Sequence, residues 1–394
     1  MSAPISIDSR QDTGVLISST DPEWLFLCAA TSGENSDRLR FLSANVRWNV
    51  LFNLAERHGV QPLLYQALSQ SEGVIPAPEM RILAQLYETN LHKGMLLARE
   101  LIHLVDHLAS KEIEVLPYKG LALAESLYGD MALRQAGDID LLIHARDLAR
   151  IQEAVRELGY VSHSKLSAAQ QRASLASGYE YVFDGRAGRN LLEVQWAVLP
   201  RFYAIDLNQD DLFRRAVSIR VAGHDMKTPC PEDLFLILSA HAAKHVWGRL
   251  IWLCDLARIM CVPDLDWESI AEQARKLGIV RILRVSLLLT TRLLRVDIAR
   301  GADLNVGTDQ DADSLATEIE GHITAAMEFN VESVAYFRLM MRLRENGRDR
   351  MRFVSRLILT PGPGEWAALR LPDALFPLYR LVRLWRLGRR LVGL

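Results

Sequence analysis

The sequence predicts an α+β protein, with a small mixed β-sheet set between an N-terminal and a C-terminal helical subdomain. Three observations lead there. Apolar residues recur at helical spacing from Glu23 to Ser110. Between Ile113 and about Thr228 they switch to short strand-like runs parted by glycine turns. Helical spacing returns after Pro229. A chain of 394 residues is long enough to hold such parts around a sizeable core. The expected divisions are residues 1–112, 113–229 and 230–394.

In the first division, Glu23 to Ala30 and Leu39 to His58 read as helical, followed by a long helix from Glu79 to Ser110. In that long segment Leu83, Leu86, Leu91, Leu96, Leu97, Leu101, Leu104 and Leu108 recur beside Arg81, Glu88, Lys93, Arg99 and Glu100, the pattern of a helix with one apolar stripe. In the second, Ile113 to Tyr118 reads as a strand that leads through Lys119-Gly120 into a two-turn helix ending at Tyr128-Gly129. Asp147 to Leu158 is amphipathic and stops at Gly159, while Tyr179 to Phe183 and Asn190 to Trp196 read as paired strands around a glycine-containing turn at 184–189. In the third, helices are expected at Pro231 to about Trp247, Arg249 to Met260, Trp267 to Leu277 and Val280 to Arg295, with further pieces after Asp313. The acidic segment 301–313 reads as a linker or exposed loop. Asp309-Gln-Asp311-Ala-Asp313 with Glu320 echoes a calcium loop, but Ser314 stands where the sharp turn needs glycine, so an acidic helix start is the better account.

A formal net charge of -2 argues against a protein that coats nucleic acid nonspecifically. The four cysteines, Cys28, Cys230, Cys254 and Cys261, form no CxxC pair and are too sparse for a disulfide scaffold, which points to a reducing cytoplasm. The first residues lack the basic-then-apolar pattern of a signal peptide, and charges break every apolar stretch before membrane-spanning length.

Chemistry concentrates in Arg134-Gln-Ala-Gly-Asp138-Ile-Asp140-Leu-Leu-Ile143. Residues i and i+2 of a strand share a face, so Asp138 and Asp140 can share one divalent cation. The apolar run from Leu141 then carries the strand into a core. Upstream, the turn at Gly120 can offer backbone N–H groups to a phosphate, with Lys119 as a nearby point charge.

The order strand, Lys-Gly, helix, loop with arginine, then Asp-x-Asp resembles the nucleotidyltransferase superfamily that includes DNA polymerase beta and the aminoglycoside nucleotidyltransferases. Lys119-Gly120, Tyr128-Gly129-Asp130, Arg134 and Gly137-Asp-Ile-Asp-Leu-Leu together look like the uncharacterised bacterial family of nucleotidyltransferase-like proteins. The resemblance implies transfer of a nucleoside monophosphate from a nucleoside triphosphate, ATP among the choices, to an unidentified small-molecule, peptide or protein acceptor. It implies Mg²⁺ or Mn²⁺ on Asp138, Asp140 and a third acid on a neighbouring strand, for which Glu193 is the best candidate. Lys119, Gly120 and Arg134 would then hold the triphosphate. Where the family strand has histidine two residues after the acid, this chain has Gln195. A catalytically degenerate protein that binds a nucleotide or a partner in the same cleft is therefore the alternative reading.

Downstream, His241, Lys244, His245, Arg249, Trp252 and Asp255 also resemble the family. His241 and His245 lie four apart on one helix face and could hold zinc, but Ala242 occupies the place of a metalloprotease's general base. The preferred reading has His241, His245 and Arg249 lining the cleft against nucleotide or acceptor, with Asp255 capping or pairing with Arg249. At the C-terminal end, Arg380, Arg383, Arg386, Arg389 and Arg390 alternate with Leu, Val and Trp. A packed helix with a solvated basic face is expected there, and contact with an anionic membrane surface is the less favoured alternative.

Overall fold

Strand periodicity decides which side chains meet in this protein. The computed structural model describes residues 18–162, 167–185, 188, 190–297, 309–325, 330 and 333–392. The readings of the first residues, of half of the turn at 184–189 and of positions 301–308 fall outside the described residues.

The chain opens with α1 (Pro22–Thr31), α2 (Ser36–Ser43), α3 (Trp48–Arg57), α4 (Gln61–Ser69) and the long α5 (Ala77–Ser110). The expected single helix from Leu39 to His58 is broken in two. Glu23, fully buried, accepts hydrogen bonds at 2.9 Å from both the backbone N–H and Nε of Arg47, which pins the chain in an extended turn there. In α5 the leucine stripe is buried from Leu97 to Leu108, but Leu96 points outward.

The sheet follows as β1 (Val115–Pro117), α6 (Leu121–Leu123) running into a π turn at Ala124–Tyr128, and β2 (Asp138–Ile143). Then come α7 (Leu148–Glu157), β3 (Val161–Ser162), α8 (Ala168–Ser177), β4 (Glu180–Asp184) and β5 (Leu191–Gln195). The five strands are ordered β1-β2-β5-β4-β3, with β2 and β5 parallel and the other pairs antiparallel. This is the expected mixed sheet. Pro117 is tolerated because β1 is an edge strand.

Ile139, Leu141, Ile143, Phe183, Leu192 and Val194 project from one face onto α5 and α7 and form one apolar core. The alternate residues, among them Asp138, Asp140, Glu193 and Gln195, project from the opposite face. After β5 the chain continues through α9 (Gln209–Arg214) into the hairpin of β6 (Val217–Val221) and β7 (His224–Thr228), whose Val221 and Met226 join the apolar core under α5 and α7. The hairpin turns at Ala222 and Gly223, both with positive φ as a two-residue turn of this hand demands.

Helices α10 (Pro231–Lys244), α11 (Leu250–Met260), α12 (Trp267–Leu277), α13 (Val280–Leu294), α14 (Gln310–Thr324), α15 (Val334–Arg342) and α16 (Gly347–Leu359) complete a second core. That core also takes in α1 to α4, so the two helical ends of the chain share one apolar interior. Asp309 caps α14, accepting from Ala312 N–H at 3.1 Å, and pairs with Arg281 and Arg284, which makes the acidic run a helix start.

The last elements are α17 (Pro363–Ala368) and α18 (Tyr379–Val392). Arg383 and Arg386 turn inward onto the buried Glu365, at 3.1 and 2.7 Å. Leu381, Leu384 and Trp385 face outward. The expected solvated basic face is thus kept only in part: Arg380 and Arg389 stay exposed, while the buried carboxylate draws Arg383 and Arg386 inward and leaves apolar side chains outside. Among the described residues no helix is long and apolar enough to cross a membrane.

Gly120 sits at φ 51°, ψ -118°, and a Cβ there would lie 3.3 Å from the carbonyl oxygen of Asp138. Gly120→Ala is expected to lower the unfolding free energy by about 1–3 kcal/mol, read from the denaturant midpoint.

Candidate active site

Parallel pairing of β2 with β5 sets Asp140 directly opposite Glu193 and Asp138 opposite Leu191. Asp138 and Asp140 share a face, so the register brings three carboxylates to one patch at the end of β2. One oxygen from each of Asp138, Asp140 and Glu193 lies within 4.8 Å of the others. Such a set suits a hard divalent cation, which takes oxygen ligands.

The electrostatics agree with that fit. Burial pushes the Glu193 carboxyl up to about 8, with repulsion from Asp140 and Glu180 adding to it. Asp138 is also raised, first by burial and then by Asp140. The charged forms of Glu193 and Asp138 are thus disfavoured where the site stands without a cation.

Lys119 is the nearest balancing charge. Its Nζ lies 2.8 Å from Asp140 Oδ1, and although burial opposes it, Asp140 and Tyr118 together hold the ammonium well above its ordinary range. Gln195, fully buried, donates from Nε2 to Glu193 Oε2 at 2.8 Å and to Asp140 Oδ1 at 3.1 Å, while its Oε1 accepts from the Tyr118 hydroxyl. The amide therefore orients two of the three acids. A fourth carboxylate, Glu180, faces Gln195 from β4, with Oε2 3.4 Å from the same Nε2. Sequence reasoning missed Tyr118, Glu180 and the double role of Gln195. The hairpin register of β4 on β5 is the signal that would have found Glu180.

Arg134 lines the cleft but its guanidinium is engaged. Nε and Nη2 each lie 2.9 Å from one oxygen of Asp255, which also accepts from the Tyr128 hydroxyl at 2.8 Å, and Nη1 reaches the Gly120 carbonyl at 3.4 Å. Asp255 is fully buried and pairs with Arg134, where the sequence suggested Arg249 or a cap. This ion pair ties α11 to the loop that precedes β2.

Between the sheet and the helices lies a cleft of about 660 Å³. Its lining includes Lys119, Gly120, Asp138, Asp140, Glu193, His241, His245 and Arg249, so every site residue expected from the sequence reaches it. His241, His245 and Trp252 form an aromatic cluster, with ring centroids 4.9 to 5.4 Å apart. Burial holds His241 well below the ordinary imidazole range and His245 down at about 3, and neighbouring lysines add to both. Both environments favour the neutral imidazole. Lys244 Nζ donates to Tyr179 Oη at 2.8 Å, and burial lowers its ammonium despite Glu180 nearby.

The profile of a family described as uncharacterised nucleotidyltransferase matches residues 44–295, a span that contains the whole sheet and the cleft. No curated protein matches the chain. The solution structure of the antibiotic-resistance factor ANT(2'')-Ia is similar over 49% of this chain and 91% of that one, at 17% identity and a TM-score of 0.27.

Arg134→Ala leaves the buried Asp255 carboxylate without its counter-ion, and is expected to cost about 3–5 kcal/mol in denaturant unfolding, whereas Arg134→Met with Asp255→Leu and Tyr128→Phe recovers most of that loss. Glu193 supplies a pH test. Its folded value of about 8 exceeds its ordinary 4.5, so the folded state holds the extra proton between those limits. Stability from this group is present at low pH and falls as pH rises through that window. In metal-free buffer, Glu193→Gln removes this slope, so its thermal midpoint should gain on that of wild type as pH rises from 4.5 to about 8.

Proposed function

We propose, for a chain that belongs to the uncharacterised nucleotidyltransferase family, transfer of a nucleoside monophosphate from a nucleoside triphosphate to an acceptor, with release of pyrophosphate. The observation that carries this reading is the in-register convergence of Asp138, Asp140 and Glu193 beside the Lys119-Gly120 turn. Those three acids would hold Mg²⁺ or Mn²⁺, which when bound supplies Lewis-acid neutralisation of the triphosphate.

The chain's own residues do the positioning. Gly120, with no side chain, lets the backbone approach the phosphates, and Lys119 exchanges Asp140 for a phosphate oxygen. Arg134, fixed by Asp255, contributes by holding the Gly120 turn in place and by adding positive potential. An acceptor oxygen or nitrogen forms the new bond to the α-phosphorus as the bond from that phosphorus to the bridging oxygen breaks, and the departing pyrophosphate keeps the electron pair. The acceptor's proton passes to Glu193. His241, His245 and Arg249, on the helical wall, contact the nucleotide or the acceptor. The acceptor is a small molecule, peptide or protein, and the four free cysteines support a reducing cytoplasm as the setting.

A second reading rests on Gln195. It stands where the resemblance places histidine, and its amide already locks Asp140 and Glu193. A nucleotide-binding protein without turnover would show tight triphosphate binding and no pyrophosphate.

The deciding experiment incubates the protein with labelled triphosphate, Mg²⁺ and candidate acceptors, and follows pyrophosphate release and added mass. Asp138→Asn is expected to reduce turnover by at least about a hundredfold while the unfolding midpoint holds, the scale of losing one group that stabilises transition-state charge. Undiminished turnover in that variant would overturn the assignment.

A further inference from the structure

We infer that the outward face of α18 docks on an anionic lipid bilayer. Leu381, Leu384 and Trp385 are 61%, 46% and 59% exposed and recur at the three- and four-residue spacing that makes one helical stripe. Leu375 and Leu378, also exposed, lead into it. Singly exposed leucines are ordinary on a protein surface, whereas an apolar row along one helix marks an interaction site.

The inward face explains why the row is outside. Tyr379 is buried, its hydroxyl accepting from Leu371 N–H at 3.0 Å, and Arg383 and Arg386 are spent on Glu365. The helix is thus anchored through Tyr379 and the Glu365 ion pairs while Leu381, Leu384 and Trp385 stay in solvent, the reverse of a helix whose whole apolar stripe lies on a core.

Charge identifies the occupant. From Ala374 to Leu394 the sequence has five arginines and no acidic residue. Arg380 and Arg389 are exposed beside the apolar row, and the Arg389 guanidinium lies 5.1 Å from the centre of the Trp385 ring. A second copy of this face, related by a two-fold axis, would set arginines against arginines with no acid to offset them. Headgroup phosphates accept guanidinium groups, and the boundary beneath them accepts leucine and tryptophan. The helix lies on the membrane, without crossing it.

The test sediments the full chain with vesicles of phosphatidylcholine alone, or of phosphatidylcholine mixed with phosphatidylserine. Wild type is expected to pellet with the mixed vesicles and to stay in solution with the neutral ones. The L384E/W385E variant and, independently, R380E/R389E are each expected to weaken that binding at least about tenfold, the scale of losing a buried large apolar side chain or two headgroup contacts. Both variants alter exposed positions, so far-ultraviolet circular dichroism should match wild type, and either alone keeps the test decisive. Failure to pellet with mixed vesicles, or unchanged binding in both variants, overturns the proposal. So does a lipid-free dimer, seen by analytical ultracentrifugation, that L384E/W385E dissolves.

Discussion

The register between β2 and β5 is the constraint on which the rest of this structure depends. Setting Asp140 opposite Glu193 in a parallel pair fixes which acids share a face, and a slip by one residue would send Glu193 into the apolar layer against α5 and α7. That layer holds the register in place. Ile139, Leu141, Leu192 and Val194 fill it from the two strands, so the apolar half of each strand positions the acidic half.

Gathering acids in a half-buried patch is costly, and the surrounding residues answer that cost in two ways. Lys119 and the amide of Gln195 face the acids directly, one with charge and the other with hydrogen bonds. The Arg134–Asp255 pair acts from behind, joining the Gly120 turn, the loop before β2 and α11 in one buried polar network that includes Tyr128. Sheet and helices are thus locked together beside the patch, so a change at Asp255 is felt at the turn.

Much of this was legible in the sequence. The strand period placed Asp138 and Asp140 on one face, the glycine turn placed Lys119 nearby, and Glu193 followed from the neighbouring strand. Helices α7, α12 and α13 could be read to within a residue or two from their apolar spacing and stop signals. What could not be read depends on contacts distant in the chain. The break between α2 and α3 is made by Glu23 reaching Arg47, and Arg134 is claimed by Asp255, its partner 121 positions away. The β6–β7 hairpin turns on Ala-Gly, a weaker signal than Asn-Gly. On α18 the exposed Arg380 and Arg389 match the expected basic face, but composition alone does not reveal that Glu365 draws Arg383 and Arg386 inward.

Helix α5 plays two parts along its 34 residues. Its first half contributes Leu86, Thr89, Asn90 and Lys93 to the cleft wall, and its second half packs Leu97 to Leu108 beneath the sheet. Because one unbroken rod of about 50 Å serves both, that wall has no independent hinge. Moving the first half of the beam would drag the floor with it, so the wall and the sheet answer to one rigid element.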